Sequence, residues 1–150
     1  MLYMIELIIK TIRQPETNRN LFDFIEDSLL WLDHSPLEKV ANLPIYFALH
    51  LSGFLGFQLN HDYKEENNIL DLVNGKFIAE IPAHTQIHQG LIIEEIKELM
   101  KVMHPDELTE ISLNRNMRKE ILDLLEKYYS IHLPEFGKMK TLPVLKQLMD

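Results

Sequence analysis

Residues 114–132 read NRNMRKEILDLLEKYYSIH, and the spacing of Met117, Ile121, Leu124, Leu125 and Tyr128 within them decides the fold class. Positions that recur every three or four residues share one side of an α-helix, which leaves the charged residues on the other. Asn114 stands where an N-cap is needed, because its side-chain oxygen can accept a first-turn amide hydrogen. A helix from Arg115 to about Ile131 is the longest the chain offers, and its apolar stripe needs other elements to cover it. Tyr128 lies in that stripe and is assigned to the core, and His132 continues the same direction and closes the helix. Tyr129 points away from Tyr128 and can be read as a stacking residue or as a packing residue at the rim, with the rim reading preferred.

Working outward, the same period returns along the chain. MLYMIELIIKTIR is an apolar helix up to about Arg13, stopped by QPETNRN, where Pro15 and the asparagines break and cap. A second helix, Leu21 to Leu32, places Leu21, Phe22, Ile25, Leu29 and Leu32 at helical spacing. Pro36 and Pro44 bracket a short helical turn, and Pro44 then opens an apolar helix, Ile45 to Phe57, from its first turn. Ala48, Ser52 and Gly56 recur every four residues there, a narrow strip that a neighbouring backbone can approach closely. His50, alone on this apolar helix, is read as a core or rim residue. A fourth helix, Leu91 to Met103, turns Ile92, Ile93, Ile96, Leu99 and Met100 inward and ends at Pro105. A brief DELTEI helix follows, and Thr141 and Pro143 announce a last helix over Pro143 to Met149.

The period changes once. Ile69–Val73 and Lys76–Ile81 flank Asn74-Gly75, a dipeptide that favours a type I′ hairpin turn. Two strands alone are marginal, so this hairpin, about 69–81, must lean on the helices. The segment PAHTQIHQ after it reads as a loop. The expectation is a mainly α fold, a helical bundle with a small inserted β-hairpin, with residues 1–150 forming one domain.

Composition narrows the function. A chain of 150 residues with 46% hydrophobic content can bury one core. Cysteine is absent, which removes disulfides, thiolate metal sites and a cysteine nucleophile. The net charge of −8 argues against strong unaided binding to a polyanion. That charge is uneven, with four basic against seven acidic residues in 1–50, three against eight in 51–100, and eight against eight in 101–150. Any electropositive face therefore lies towards the C-terminus. The charge-free run Leu43 to Leu59 falls short of the roughly 20 residues of a membrane helix, and the N-terminus lacks the pattern of a signal peptide. A cytoplasmic protein is expected. The abrupt helical start suits a chain cut from something longer, or a small protein whose first helix begins at its initiator Met.

His84 and His88 have the spacing of two imidazoles on one helix face, but Pro82 precedes them and no Glu follows the first. A solvated loop is the preferred reading. No glycine-rich phosphate loop, nucleophile elbow or distinct carboxylate pair is present, so no catalytic residue, cofactor or metal is assigned. Arg115, Arg118 and Lys119 form a second stripe in the first turns of the long helix, where the helix dipole disfavours cations by about 0.3–1 kcal/mol each. They are either paired locally, with Asp123 and the acidic DELTE segment, or they meet an anion, a phosphate or an acidic peptide, together with Lys138 and Lys140.

The segments FALHLSGFLGF (47–57), ILDLVNGKFIAEIPAH (69–84), NRNMRKEILDLLEKYYSIHLPEF (114–136) and GKMKTLPVLKQLMD (137–150) follow MIELIIKTIRQPETNRNLFDFIEDSLLWLD (4–33). In content and order, over essentially the whole chain, they resemble the RecO family of DNA repair and recombination mediator proteins. The resemblance implies a non-enzymatic protein that anneals complementary strands and helps load recombinase onto DNA coated by single-stranded DNA-binding protein, acting with RecR. It also implies an N-terminal oligonucleotide-binding barrel that these residues do not contain, so a C-terminal fragment is expected, bacterial and associated with the nucleoid.

Two departures accompany the resemblance. Many family members carry four cysteines around the hairpin, whereas this chain has Asn60 to Asn68 where the first pair would stand, so zinc is not carried over. The family's pocket for the acidic, hydrophobic tail of single-stranded DNA-binding protein includes the helix matching Ile45 to Gly56. Its leucine matches Leu49, but its basic position is Ile45. Ile45, Leu49 and Phe54 are thus candidate partner-binding residues by their apolar character alone. Lys138 and Lys140 match the basic segment before the last helix and join Arg115, Arg118 and Lys119 as candidate contacts to single-stranded DNA. Leu142, Val144, Leu145 and Leu148 are expected to fasten that helix. The rival reading is a helical protein-interaction module whose apolar groove accepts a partner helix or tail.

Overall fold

The computed structural model describes residues 1–14, 17–60 and 62–149; the expected breaker Pro15 lies outside them. Among these residues the chain forms six α-helices, α1 (Leu2–Thr11), α2 (Arg19–His34), α3 (Leu43–Phe54), α4 (Ile92–Lys101), α5 (Arg115–His132) and α6 (Thr141–Leu148), and a small sheet. Short 3-10 turns occupy Leu37–Lys39 and Pro105–Glu110, where one helical turn and the DELTEI helix were expected. The mainly α fold with a small β element is as the sequence implies.

Helix α3 is the axis of the bundle. Eight of its twelve residues are buried, and α1, α2, α4 and α5 all pack against it. A helix apolar all round can exist in water only when wrapped in this way. It stops at Phe54, three residues before the expected end, because the chain closes it with a Schellman motif. Phe57 N–H donates to the Ser52 carbonyl at 3.0 Å, Gly56 N–H donates to the Gly53 carbonyl at 3.3 Å, and Gly56 takes a φ of 89°. Ala48 and Ser52 are buried as a packing strip, but Gly56 serves the turn instead.

Helix α5 begins as expected, with Asn114 Oδ1 accepting from the Met117 amide at 2.9 Å. Ile121, Leu124, Leu125 and Tyr128 are buried, and so is Tyr129. The rim assignment of Tyr129 is therefore corrected: its ring is 1% exposed and its hydroxyl donates to the Ala48 carbonyl on α3 at 2.7 Å. Burial pushes the Tyr128 hydroxyl up to about 12 and raises that of Tyr129 well above its ordinary value. Tyr128 donates to the Phe57 carbonyl, and the Phe57 ring stacks on His132 at 5.2 Å and 7°. His132 Nε2 in turn lies 2.8 Å from the Leu72 carbonyl.

The sheet has three antiparallel strands in the order β2-β1-β3, with β1 at Ile69–Asp71, β2 at Lys76–Ile78 and β3 at Ile87–Gln89. The expected loop thus supplies a third strand, in the register Leu70 opposite Phe77 on one side and His88 on the other. That addition resolves the marginality of a two-stranded hairpin. The turn is not type I′, since Asn74 does not take positive φ and only Gly75 does, at 61°. The reason is Asp71, whose buried carboxylate accepts the Val73 and Asn74 amides at 3.0 Å and Asn74 Nδ2 at 2.7 Å. Burial alone would raise its pKa, but the Asn74 hydrogen bonds and His84 outweigh that and hold it below the usual carboxylate value.

Helix α6 starts two residues before Pro143, and its N-terminus is capped from the other end of the chain. Glu6 on α1 accepts the Lys140 and Thr141 amides at 2.8 and 2.7 Å and the Thr141 hydroxyl at 2.5 Å. Burial would raise the Glu6 pKa, but these bonds, with Lys10 nearby, hold it below its ordinary value. Of the four expected fasteners, Leu142 is buried and Leu145 half-buried, whereas Val144 and Leu148 face solvent.

Two outcomes follow from these interactions. Glu6→Gln should lower unfolding free energy by about 1–2 kcal/mol near neutral pH. A depressed folded-state pKa contributes stability above the unfolded pKa and loses it as pH falls through the folded one, so the gap in urea melts should close below about pH 4. A gap that persists in acid would remove the carboxylate's charge from the account. Gly75→Ala should cost about 1–2 kcal/mol for positive φ, and more because its Cβ would stand 2.5 Å from the Tyr128 oxygen. In a Tyr128→Phe background the same change should cost less, and strict additivity would exclude the clash.

Candidate functional site

The basic residues near the C-terminus divide between two places. After α5 the chain reverses through Glu135 and Gly137, both at φ 64°, and buries Phe136 and Met139 against the helices. Glu126 on α5 fixes the return by accepting the Met139 amide at 2.6 Å. Lys138 is thereby set across a cleft from Lys119. Lys146 on α6 crosses the same cleft to both oxygens of Asp123, at 2.7 and 2.6 Å. The cleft, of about 420 Å³, holds three lysines, Lys119, Lys138 and Lys146, against two carboxylates, Asp123 and Glu126. With one carboxylate bridged to Lys146 and the other bound to a main-chain amide, the local balance is cationic in a chain of net charge −8.

Arg118 goes elsewhere. It is half-buried, its Nη1 donates to the Leu113 carbonyl ahead of the helix, and it lines two cavities other than the lysine cleft. Arg115 and Lys140 are exposed. Asp123, the expected partner of Lys119, accepts from Lys146 in the pair described above. The sequence stripe of three cations therefore divides into a half-buried arginine held by a main-chain carbonyl, a half-buried lysine in the cleft and the exposed Arg115. Lys119 and Lys138, distant in sequence, are brought together.

The candidate partner-binding residues on α3 are spent on the core: Ile45 is fully buried and Leu49 is 5% exposed. Phe54 is half-buried, its ring 5.2 Å from Phe24. A crevice beside Leu49 and His50 measures about 10 Å³, too small for a side chain. His84 and His88 diverge, His84 Nε2 to Asp71 at 3.1 Å and His88 Nε2 to Glu120 at 3.0 Å. Among the described residues no group of three or more His, Asp or Glu is placed to hold a metal ion.

Lys97 was overlooked by sequence reasoning. It is 1% exposed, donates to Glu94 at 2.7 Å and to the Lys64 carbonyl at 3.1 Å, and sits over the Phe77 ring at 5.5 Å. It ties the 62–67 loop to the sheet where the resemblance would have placed cysteines. A signal was present, since position 97 falls between Ile93 and Met100 in the inward stripe of α4.

Residues 1–76 match the family model described as recombination protein O, C-terminal. The DNA repair protein RecO of Bacteroides fragilis is 34% identical over 152 residues, covering 99% of this chain and 61% of that protein. RecO of Phocaeicola vulgatus is 29% identical over 149 residues, with 99% and 61% covered. RecO of Porphyromonas gingivalis is 30% identical over 156 residues, with the same coverage. The chain thus spans about three fifths of the length of these curated relatives. No solved structure matches significantly. No helix among the described residues is long and apolar enough to cross a membrane.

The two settings of the cations separate in stability. Arg118→Ala should cost about 1–2 kcal/mol in urea unfolding, because it strands the Leu113 carbonyl, while Arg115→Ala and Lys138→Ala stay within about 0.5 kcal/mol. Equal losses at all three positions would contradict the structural role of Arg118.

Proposed function

This chain belongs to the RecO family of DNA repair and recombination proteins, and we propose that it acts as a single helical binding domain, without catalysis, that helps single-strand annealing and recombinase loading through binding of single-stranded DNA. The observation that supports this reading most is the α5–α6 cleft, where Lys119, Lys138 and Lys146 meet two carboxylates. A phosphate entering there meets Lys119 and Lys138 beside the Lys146–Asp123 pair and releases counterions, the main source of affinity for single strands. Arg115 and Lys140, exposed at the edges of the same region, extend the path. Its partners on this reading are RecR and single-stranded DNA-binding protein, in the bacterial cytoplasm at the nucleoid. At net −8 the domain alone holds DNA weakly.

A second reading, a protein-interaction module without DNA binding, is favoured by the apolar groove between α2, α3 and α6. Anisotropy of labelled single-stranded DNA distinguishes the two. The DNA reading expects binding at about 50 mM salt that is largely lost by about 200 mM. It also expects Lys119→Ala/Lys138→Ala to weaken that binding and to lower the salt slope by about 0.7 for each phosphate no longer neutralised. Absence of binding at either salt would leave the interaction module.

A further inference from the structure

Asp123 stands within the lysine cleft rather than at its edge. On α5 it lies one turn after Lys119 and one turn before Glu126, so the three side chains share the face of the helix that lines the cleft. The two carboxylates have different occupations. Glu126 is engaged by the Met139 amide at 2.6 Å and thereby holds the wall that carries Lys138. Asp123 reaches across to α6, where both of its oxygens accept from Lys146 Nζ, at 2.7 and 2.6 Å.

The fold gains little from this second arrangement. The Asp123 side chain is 52% exposed and that of Lys146 30% exposed, and ion pairs so open to water contribute little to stability. Helix α6 is fastened without it, by the buried Leu142 and by Glu6 at its N-terminus. The consequence for the cleft is larger. A carboxylate and a phosphodiester are both monoanions that present two oxygen acceptors to a cation, so Asp123 takes on Lys146 the place that a backbone phosphate would take.

We propose that Asp123 is an internal competitor for the phosphates of single-stranded DNA, which withholds Lys146 and keeps the strand lightly held. The inference rests on the reading of the cleft as a DNA site and adds its regulation. A strand meets Lys119 and Lys138 first, and it gains Lys146 only by displacing Asp123. Light binding suits a domain that must pass its strand on.

The test is anisotropy of labelled single-stranded DNA at about 50 and 200 mM salt, with Asp123→Asn, Lys146→Ala and the two combined. Asn keeps the shape of Asp and removes its charge. Asp123→Asn is expected to tighten binding at the lower salt by about two- to fivefold, the weight of one exposed ion pair. It should also steepen the salt slope by about 0.7, for one further phosphate neutralised. In the Lys146→Ala background the same change should leave affinity and slope where Lys146→Ala alone sets them. Asp123→Ser, which removes the charge in a second way, should act as Asp123→Asn does. Matching urea midpoints would show that α6 is still docked in each variant.

A gain that survives in the Lys146→Ala background would be the loss of one negative charge and nothing more, and would overturn the proposal. Unchanged or weaker binding by Asp123→Asn would do the same. If wild-type binding depends on Lys119 and Lys138 while Asp123→Asn brings no gain, the competitor fails and the DNA site stands. If neither wild type nor Asp123→Asn binds at about 50 mM salt, both fail.

Discussion

The burial of α3 on every side is the constraint from which the remaining arrangement follows. A helix without a polar face cannot lie on a surface, so α1, α2, α4 and α5 are drawn around it, each turning its own apolar stripe inward. Several of the polar groups that this burial carries into the interior are then served in place. Ser52 Oγ donates to the Leu49 carbonyl at 2.6 Å, Tyr129 reaches the Ala48 carbonyl, and Asn42 reaches Ile111 across the loop. Helix α5 adds further bonds, since Tyr128, Tyr129 and His132 on its last turns reach the exit of α3, its centre and the turn of the sheet.

This construction limits where function can sit. The core takes Ile45 and Leu49, while Phe54 stays half-buried, and a larger accessible apolar surface lies in the groove bounded by α2, the start of α3 and α6. The acidic excess is likewise less repulsive than its total suggests. Glu6 and Glu126 hold main-chain amides, Asp71 holds a turn, and Asp123 holds Lys146. Each of these carboxylates is compensated within the fold, and the lysines of the α5–α6 cleft keep a local cationic balance.

Helix identity was legible because it depends on neighbours three and four residues away. The spacing in α2, α4 and α5 and the cap at Asn114 are local facts, and the observed helices follow them closely at nearly every end. The turn at residues 72–75 was misread although its cause, Asp71, is close in sequence. The pairing of Asn74 with Gly75 favours one turn, and a buried carboxylate just before it favours another by binding the amides directly. Strand β3 was missed because three residues carry almost no alternation and pair only once β1 is already in position.

The sequence by itself determined that this chain is helical, where its helices lie to within two or three residues, which residues are apolar enough for the core, and which family it resembles. Each of these depends on periods, caps and composition that a linear reading contains. Only the tertiary structure decided that Glu6 caps α6, that Tyr129 belongs to the core, and that Lys97 holds a loop 33 residues away. It alone separated Arg118 from Lys119 and set Lys119 beside Lys138. The physical reason is that hydrogen bonds and charge pairs act over a few ångströms, and the chain fixes which groups come that close only after the apolar faces have closed on α3.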